Sequence, residues 1–163
     1  MNYRLLPLSE SDRQPVVDIF NYYVETGFAA YVEEKLPYEF FDYLLQMVHG
    51  YPAIAVRDEN DKVVGFAFMR AHHPLPTFQR TAEVTYFILP EYTRKGIGQG
   101  ILGYLAREAA KLGVDSLLAH ISSLNEQSIN FHKKMGFEQC GRFRRIGRKF
   151  GMDFDVMWMQ KLL

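Results

Sequence analysis

The chain has 163 residues, enough for one domain with its own core. Lys plus Arg (19) balances Asp plus Glu (19), so net charge is zero and no broad attraction for nucleic acid or an anionic membrane is implied. Cys140 is the single cysteine, which excludes an internal disulfide framework and fits a reducing cytosol, and the five histidines show no metal-ligand spacing.

Tyr3 to Leu6 reads as a short strand, followed by a helix that Ser9 or Ser11 can cap and that carries Val16, Val17, Ile19, Phe20 and Val24 up to Gly27. A second helix, from about Tyr38 to Val48, repeats apolar residues at helical spacing until Gly50-Tyr51-Pro52 breaks it. Ala53 to Val56 and Val63 to Met69 are strands, joined by the polar hairpin signal Arg57 to Lys62. After a loop with His72, His73, Pro74 and Pro76, a long strand from Thr81 to Leu89 feeds a glycine-rich turn. The helix behind it starts at Ile101 and shows Leu102, Leu105, Ala106, Ala109 and Leu112 on one face before Gly113 stops it. Ser116 to Ile121 completes a βαβ unit, so that strand and the one before the turn should be parallel. Asn125 caps a short helix through Met135, and two strands, around Glu138 to Arg145 and Phe154 to Leu162, close the chain. The fold class is α/β (α+β), a mixed sheet with helices on both faces, in a single domain over 1–163. The N-terminus lacks a signal-peptide core and no apolar run approaches bilayer length, so no membrane association and a cytoplasmic location are expected.

The turn itself, Glu91-Tyr92-Thr93-Arg94-Lys95-Gly96-Ile97-Gly98-Gln99-Gly100, reads as an anion cradle. The first N–H groups of a helix lack intrahelical partners, and its dipole adds partial positive charge. Glycines at 96, 98 and 100 let a pyrophosphate approach the main chain and allow positive φ. The bland alternative is a Gly-rich turn with two solvated cations, Arg94 and Lys95. A P-loop would place Lys and then Ser or Thr after the last glycine, where this chain has Ile101 and Leu102. A dinucleotide fold would carry its glycines near the first strand. A nucleotide carrier gripped by its pyrophosphate remains.

The strand, the turn and the later Asn125-x-x-Ser128-x-x-x-His132-x-x-x-Gly136-Phe137 together resemble the GNAT-type N-acetyltransferases, over essentially the whole chain. Glu83-Val84-Thr85, Lys149-Phe150-Gly151 and Asp155 resemble the phosphinothricin acetyltransferase-like branch. The resemblance implies a mostly antiparallel twisted sheet whose central parallel pair splays to hold the CoA arm. It also implies acetyl-CoA as co-substrate with no metal, and a primary amine of a small molecule as acceptor: an amino acid or an analogue of the phosphinothricin, methionine sulfone or sulfoximine type. Attack is then direct, in a ternary complex. One position departs: Thr93 stands where Gln or Arg is usual.

Aminolysis of a thioester needs a base, because an amine near pH 7 is mostly ammonium. The resemblance assigns this to Glu83, which on a strand shares a face with Thr85 and Phe87, where burial would raise its pKa. The alternative is an exposed strand carboxylate, or a partner for Arg80. Backbone contacts to the pantetheine and a donor for the tetrahedral oxygen are implied at Tyr86, Phe87 and Ile88. Arg94, Lys95, Gly96, Ile97, Gly98 and Gln99 are implied for the pyrophosphate, and Asn125, Ser128 and His132 for the arm. His132 either protonates the departing thiolate or only touches the arm, and Asn125 can equally be a helix cap. Phe28, Tyr31, Arg70, Arg80 and Thr85 are implied around the acceptor. In Arg70, His72, His73 and Arg80 the choice is between reading a substrate carboxylate or phosphinate and forming a solvated loop face. A non-catalytic CoA-binding module and transfer to a protein amine stay open, and a homodimer is common among similar proteins.

Overall fold

The structure, a computed structural model, describes residues 2–163. In chain order the elements are β1 (Tyr3–Pro7), α1 (Arg13–Thr26), α2 (Phe40–Met47), β2 (Ala53–Asp58), β3 (Val63–Ala71), β4 (Thr81–Ile88), α3 (Ile97–Lys111), β5 (Ser116–Ser122), α4 (Glu126–Lys134), β6 (Glu138–Lys149) and β7 (Met152–Leu162). The strands form one sheet in the order β1-β2-β3-β4-β5-β7-β6, antiparallel everywhere except between β4 and β5. No helix among the described residues is long and apolar enough to cross a membrane.

Period-two alternation divides the sheet's side chains between two cores. Phe66 and Phe68 of β3 meet Val16, Val17 and Ile19 of α1 and Phe41 and Leu44 of α2 on one face. Ala67 and Met69, with Ala82 and Val84 of β4, meet Ile97, Ile101 and Leu105 of α3 on the other. Because β3 is covered on both sides, Val63 to Met69 is one unbroken buried apolar run. Helices on both faces and the parallel central pair agree with the expected fold class.

Three boundaries differ from expectation, each for a local reason. Ser9 caps a 3-10 turn, Glu10–Asp12, that precedes α1, and its N–H donates to Asp12 Oδ2 at 2.8 Å. The helix after the glycine turn begins at Ile97 rather than Ile101. Gly96, at φ 82°, is the last residue before it, so Gly98 and Gly100 are helical and serve packing instead of turning. A Cβ on Gly100 would sit 1.8 Å from Tyr3 Oη, and one on Gly98 would sit 3.0 Å from the Phe131 ring. Finally, β6 and β7 run on to Lys149 and Met152. Phe150 (φ 52°) and Gly151 (φ 73°) are both left-handed, a two-residue turn whose twist matches long antiparallel strands.

Candidate active site

The parallel pair is short. β4 and β5 share the rungs Thr81↔Ser116, Ala82↔Leu117 and Glu83↔Leu118, and then part. Backbone direction in the opening follows from two bonds. Arg80 C=O accepts from Ser116 N–H on the β5 side (3.1 Å), whereas Leu89 N–H donates to Val64 C=O on the β3 side (2.9 Å). Successive residues of a strand alternate, so Tyr86 and Ile88 turn their N–H and C=O toward the opening and Phe87 turns toward β3. Phe87 therefore departs from its expected role as a backbone contact; its ring packs between Phe20, Tyr23 and Phe66. Tyr23 Oη donates to Ile88 C=O, which leaves the Ile88 N–H as the donor facing the opening.

The glycine turn stands at the same end of β4. Gly100 N–H makes the first helical bond, to Gly96 C=O at 3.0 Å, so the N–H groups of Ile97, Gly98 and Gln99 open the helix without intrahelical partners. Arg94 takes φ 60° and is exposed with Lys95 at the rim. The turn is tied down from outside, by Tyr92 Oη donating to Asp58 Oδ2 at 3.0 Å. Thr93, at the unusual position, turns its hydroxyl back to Pro90 C=O at 2.8 Å and leaves the row of N–H groups untouched.

His132 bears on the choice between a proton donor to the thiolate and a plain contact to the arm. It is buried on α4 with both nitrogens engaged: Nδ1 lies 2.7 Å from Ser128 C=O and must donate to it, so Nε2 accepts from Tyr86 Oη. Burial lowers the His132 pKa against the opposing pull of the Ser128 carbonyl, and burial raises that of Tyr86. A neutral, fully bonded imidazole stacked on Tyr86 braces β4 from behind and has no proton to present. Asn125 is a helix cap, Oδ1 accepting from Ser128 N–H at 3.2 Å, which leaves its NH2 donors for another partner.

On the opposite face, Glu83 is 6% exposed and sits in a ring of cationic or protonatable groups. Oε1 accepts from Arg70 Nη2 at 2.8 Å and lies 3.3 Å from His120 Nε2, and Oε2 lies 3.1 Å from His72 Nδ1. Burial raises the carboxyl's pKa as expected. Yet the hydrogen bonds from His120, Arg70 and His72, together with the Arg70 charge, outweigh it and hold the group down at about 2. The expected elevation is thus corrected in sign. Arg80 is also corrected: it forms an exposed pair with Asp115 (Nε to Oδ1 2.9 Å) and takes no part in the ring. Thr85, two residues on from Glu83, shares its face beside the opening.

Sequence reasoning misses His120, although a signal for it exists. Leu118 pairs with Glu83, so the next residue of β5 on that face is His120. Tyr31 stacks on its ring, with Oη 3.3 Å from Nδ1, and Trp158 of β7 flanks it at 4.9 Å between centroids. Phe28 lies a layer away, against Phe150 and Phe154. Lys149 is fully buried, and its Nζ donates to Gly27 C=O at 2.6 Å and Ala30 C=O at 2.7 Å, fastening the segment that carries Phe28 and Tyr31. Among the described residues, no group of His, Cys, Asp and Glu is arranged to hold a metal ion.

The chain matches the model of the acetyltransferase (GNAT) family over residues 16–137. It is 30% identical to a phosphinothricin N-acetyltransferase of Streptomyces coelicolor, over 96% of this chain and 94% of the relative. Among solved structures, a GNAT superfamily phosphinothricin acetyltransferase from Sinorhizobium meliloti in complex with AcCoA superposes at TM-score 0.93 and 27% identity, covering 100% of this chain and 89% of that one. A ribosomal-protein-alanine N-acetyltransferase from Brucella melitensis superposes at 0.90 and 30% identity, covering 98% and 99%. The splayed strand pair, the row of helix-start N–H groups and these likenesses agree: the chain belongs to the acetyltransferase (GNAT) family.

Proposed function

We propose that the chain acetylates the primary amine of a small amino acid or amino-acid analogue, with acetyl-CoA as donor and both substrates bound together. The observation that carries this reading is the adjacency of two unlike sites at one opening. On one side lie the bare N–H groups of Tyr86 and Ile88 and of the α3 start; on the other lies the Glu83 ring. The residues fit an acetyl-CoA arm laid along β4. Tyr86 offers N–H and C=O, Asn125 offers its NH2, and the N–H groups of Ile97, Gly98 and Gln99 with Arg94 and Lys95 would take the pyrophosphate. Acetyl-CoA supplies the thioester carbonyl, and Ile88 N–H is the donor available to its developing oxyanion.

Glu83 stays ionised at neutral pH beside Arg70, so the acceptor side offers a carboxylate to an ammonium next to a guanidinium. Arg70 is close enough to read the carboxylate of the same amino acid, and Tyr31, with Phe28 behind it, gives that side an apolar wall. The S. coelicolor relative's name, phosphinothricin N-acetyltransferase, supports a small acceptor. Transfer to a protein amine is the second reading, favoured by the likeness to the B. melitensis ribosomal-protein-alanine N-acetyltransferase. The test is thiol release from acetyl-CoA with amino acids, phosphinothricin, methionine sulfone and sulfoximine, and N-terminal peptides. Amine-dependent release with a small acceptor is expected. Release with peptides alone gives the second reading, and cofactor binding without release rejects both.

A further inference from the structure

We propose that His120 is the proton acceptor of the transfer, with Glu83 holding its imidazole in place. The proposal deepens the amine-acetylation reading and rests on it. The rung Glu83↔Leu118 is the last before the strands part. The next residues on that face are Thr85 on β4 and His120 on β5, so His120 stands on the wall of the opening itself. Both oxygens of Glu83 are already engaged: Oε1 by Arg70 and His120, Oε2 by His72. Three of the carboxylate's four acceptor directions are thus taken, and one side of Oε2 is all it has left for an incoming ammonium. His120 has a second nitrogen, Nδ1, whose polar neighbour is the Tyr31 hydroxyl. Its Nε2 lies 3.3 Å from a carboxylate that can only accept, and the nearby Arg70 Nη2, at 3.5 Å, already donates to Glu83. The proton of the neutral ring therefore belongs on Nε2, and the Nδ1 lone pair faces the Tyr31 hydroxyl, whose O–H can turn between Nδ1 (3.3 Å) and the His120 C=O (3.4 Å).

This is the carboxylate–imidazole arrangement in which the carboxylate fixes the tautomer and the far nitrogen takes the proton. The charged and titratable groups facing the ring are Glu83, Arg70, His72 and Tyr31. Tyr31 and Trp158 bracket the imidazole and hold its plane. In the step, R–NH3+ gives one proton to Nδ1, forming imidazolium. The amine lone pair then forms the N–C bond at the thioester carbonyl, and collapse breaks the C–S bond. The second amine proton leaves with the CoA thiolate, directly or through water, and imidazolium returns its proton to solvent. The sum is R–NH3+ plus acetyl-S-CoA giving the acetamide, HS-CoA and H+.

The test uses the full chain, His120→Ala and His120→Gln. In the protein without cofactor, nitrogen-15 NMR should show His120 as the Nε2–H tautomer. The Nδ1–H tautomer, or a ring doubly protonated at pH 7.5, overturns the proposal. Melting temperature and acetyl-CoA affinity verify that the variants fold. At saturating acetyl-CoA, turnover should fall about 10²- to 10³-fold in both, the acidic limb of the wild-type pH profile should vanish, and added imidazole should restore part of the rate to His120→Ala. Turnover within threefold of wild type overturns the proposal. So does a loss that leaves the pH profile unchanged and resists imidazole, since that marks a packing role. A wild type that binds acetyl-CoA but acetylates no amine overturns the functional reading, and this proposal with it.

Discussion

The two sides of the opening are built differently. The cofactor side consists of main-chain groups: the starting N–H groups of α3, the exposed edge of β4, and a glycine at φ 82° that orients them. The acceptor side consists of side chains drawn from several places in the chain, with Arg70, His72 and His120 meeting around the Glu83 carboxylate and Tyr31 and Trp158 bracketing His120. A main-chain site tolerates side-chain change and fails when backbone geometry changes. A side-chain site does the reverse, which also lets one scaffold keep its donor while its acceptor varies.

The largest expected effect strikes the acceptor side alone. Glu83→Gln removes the charge that Arg70, His72 and His120 converge on, and should lower turnover by about 10²- to 10⁴-fold while acetyl-CoA affinity measured by calorimetry stays within threefold. A matching loss of cofactor affinity would break the comparison. The same group sets a pH dependence of folding. Its native pKa, about 2, lies below its ordinary 4.5, so its contribution is present above about 4.5 and disappears as pH falls toward 2. Acid denaturation of Glu83→Gln should therefore be shallower over that window than in the wild type.

Next is the converse test on the cofactor side. Gly96→Val has room for its side chain but not a backbone that accepts it, since a β-branched residue at φ 82° costs on the order of 1–3 kcal/mol. Acetyl-CoA affinity should weaken about 10- to 100-fold, with turnover at saturating cofactor little changed. A smaller effect comes from Lys149→Met, which strands the Gly27 and Ala30 carbonyls and should cost about 1–3 kcal/mol of stability by denaturant titration. It should raise KM for the amine and leave KM for acetyl-CoA alone. The smallest is Thr93→Ala: its hydroxyl touches only Pro90 C=O, so acetyl-CoA affinity should move less than threefold despite the unusual residue.

This division also explains what the sequence makes legible. The fold and the cofactor side depend on local patterns, an apolar strand, a glycine turn and an amphipathic helix, all contiguous between Thr81 and Lys111. Those read directly, apart from the four residues by which α3 starts early, because glycine's turn propensity hides its service to Tyr3 and Phe131. Glu83 is visible as a position but not as a charge state. Its pKa is decided by Arg70 and His72 from the neighbouring strand and loop and by His120 across the parallel pair. His120 itself carries no local motif, and only the register Glu83↔Leu118 reveals where it stands. Arg80 has the right chemistry for the ring, yet its guanidinium is taken by Asp115.

The Lys149 bonds to Gly27 and Ala30 span 122 and 119 residues of chain. During synthesis the acceptor wall therefore emerges long before the β6–β7 hairpin that carries its anchor. The donors of the cofactor cradle all lie before the end of α4, although Met157 and Met159 of β7 pack beneath α3. A nascent chain stalled before Lys149 would hold every donor of the cradle and lack the ammonium that fastens the Gly27 to Tyr31 segment, so the two sides of the opening are completed in order, the main-chain side first.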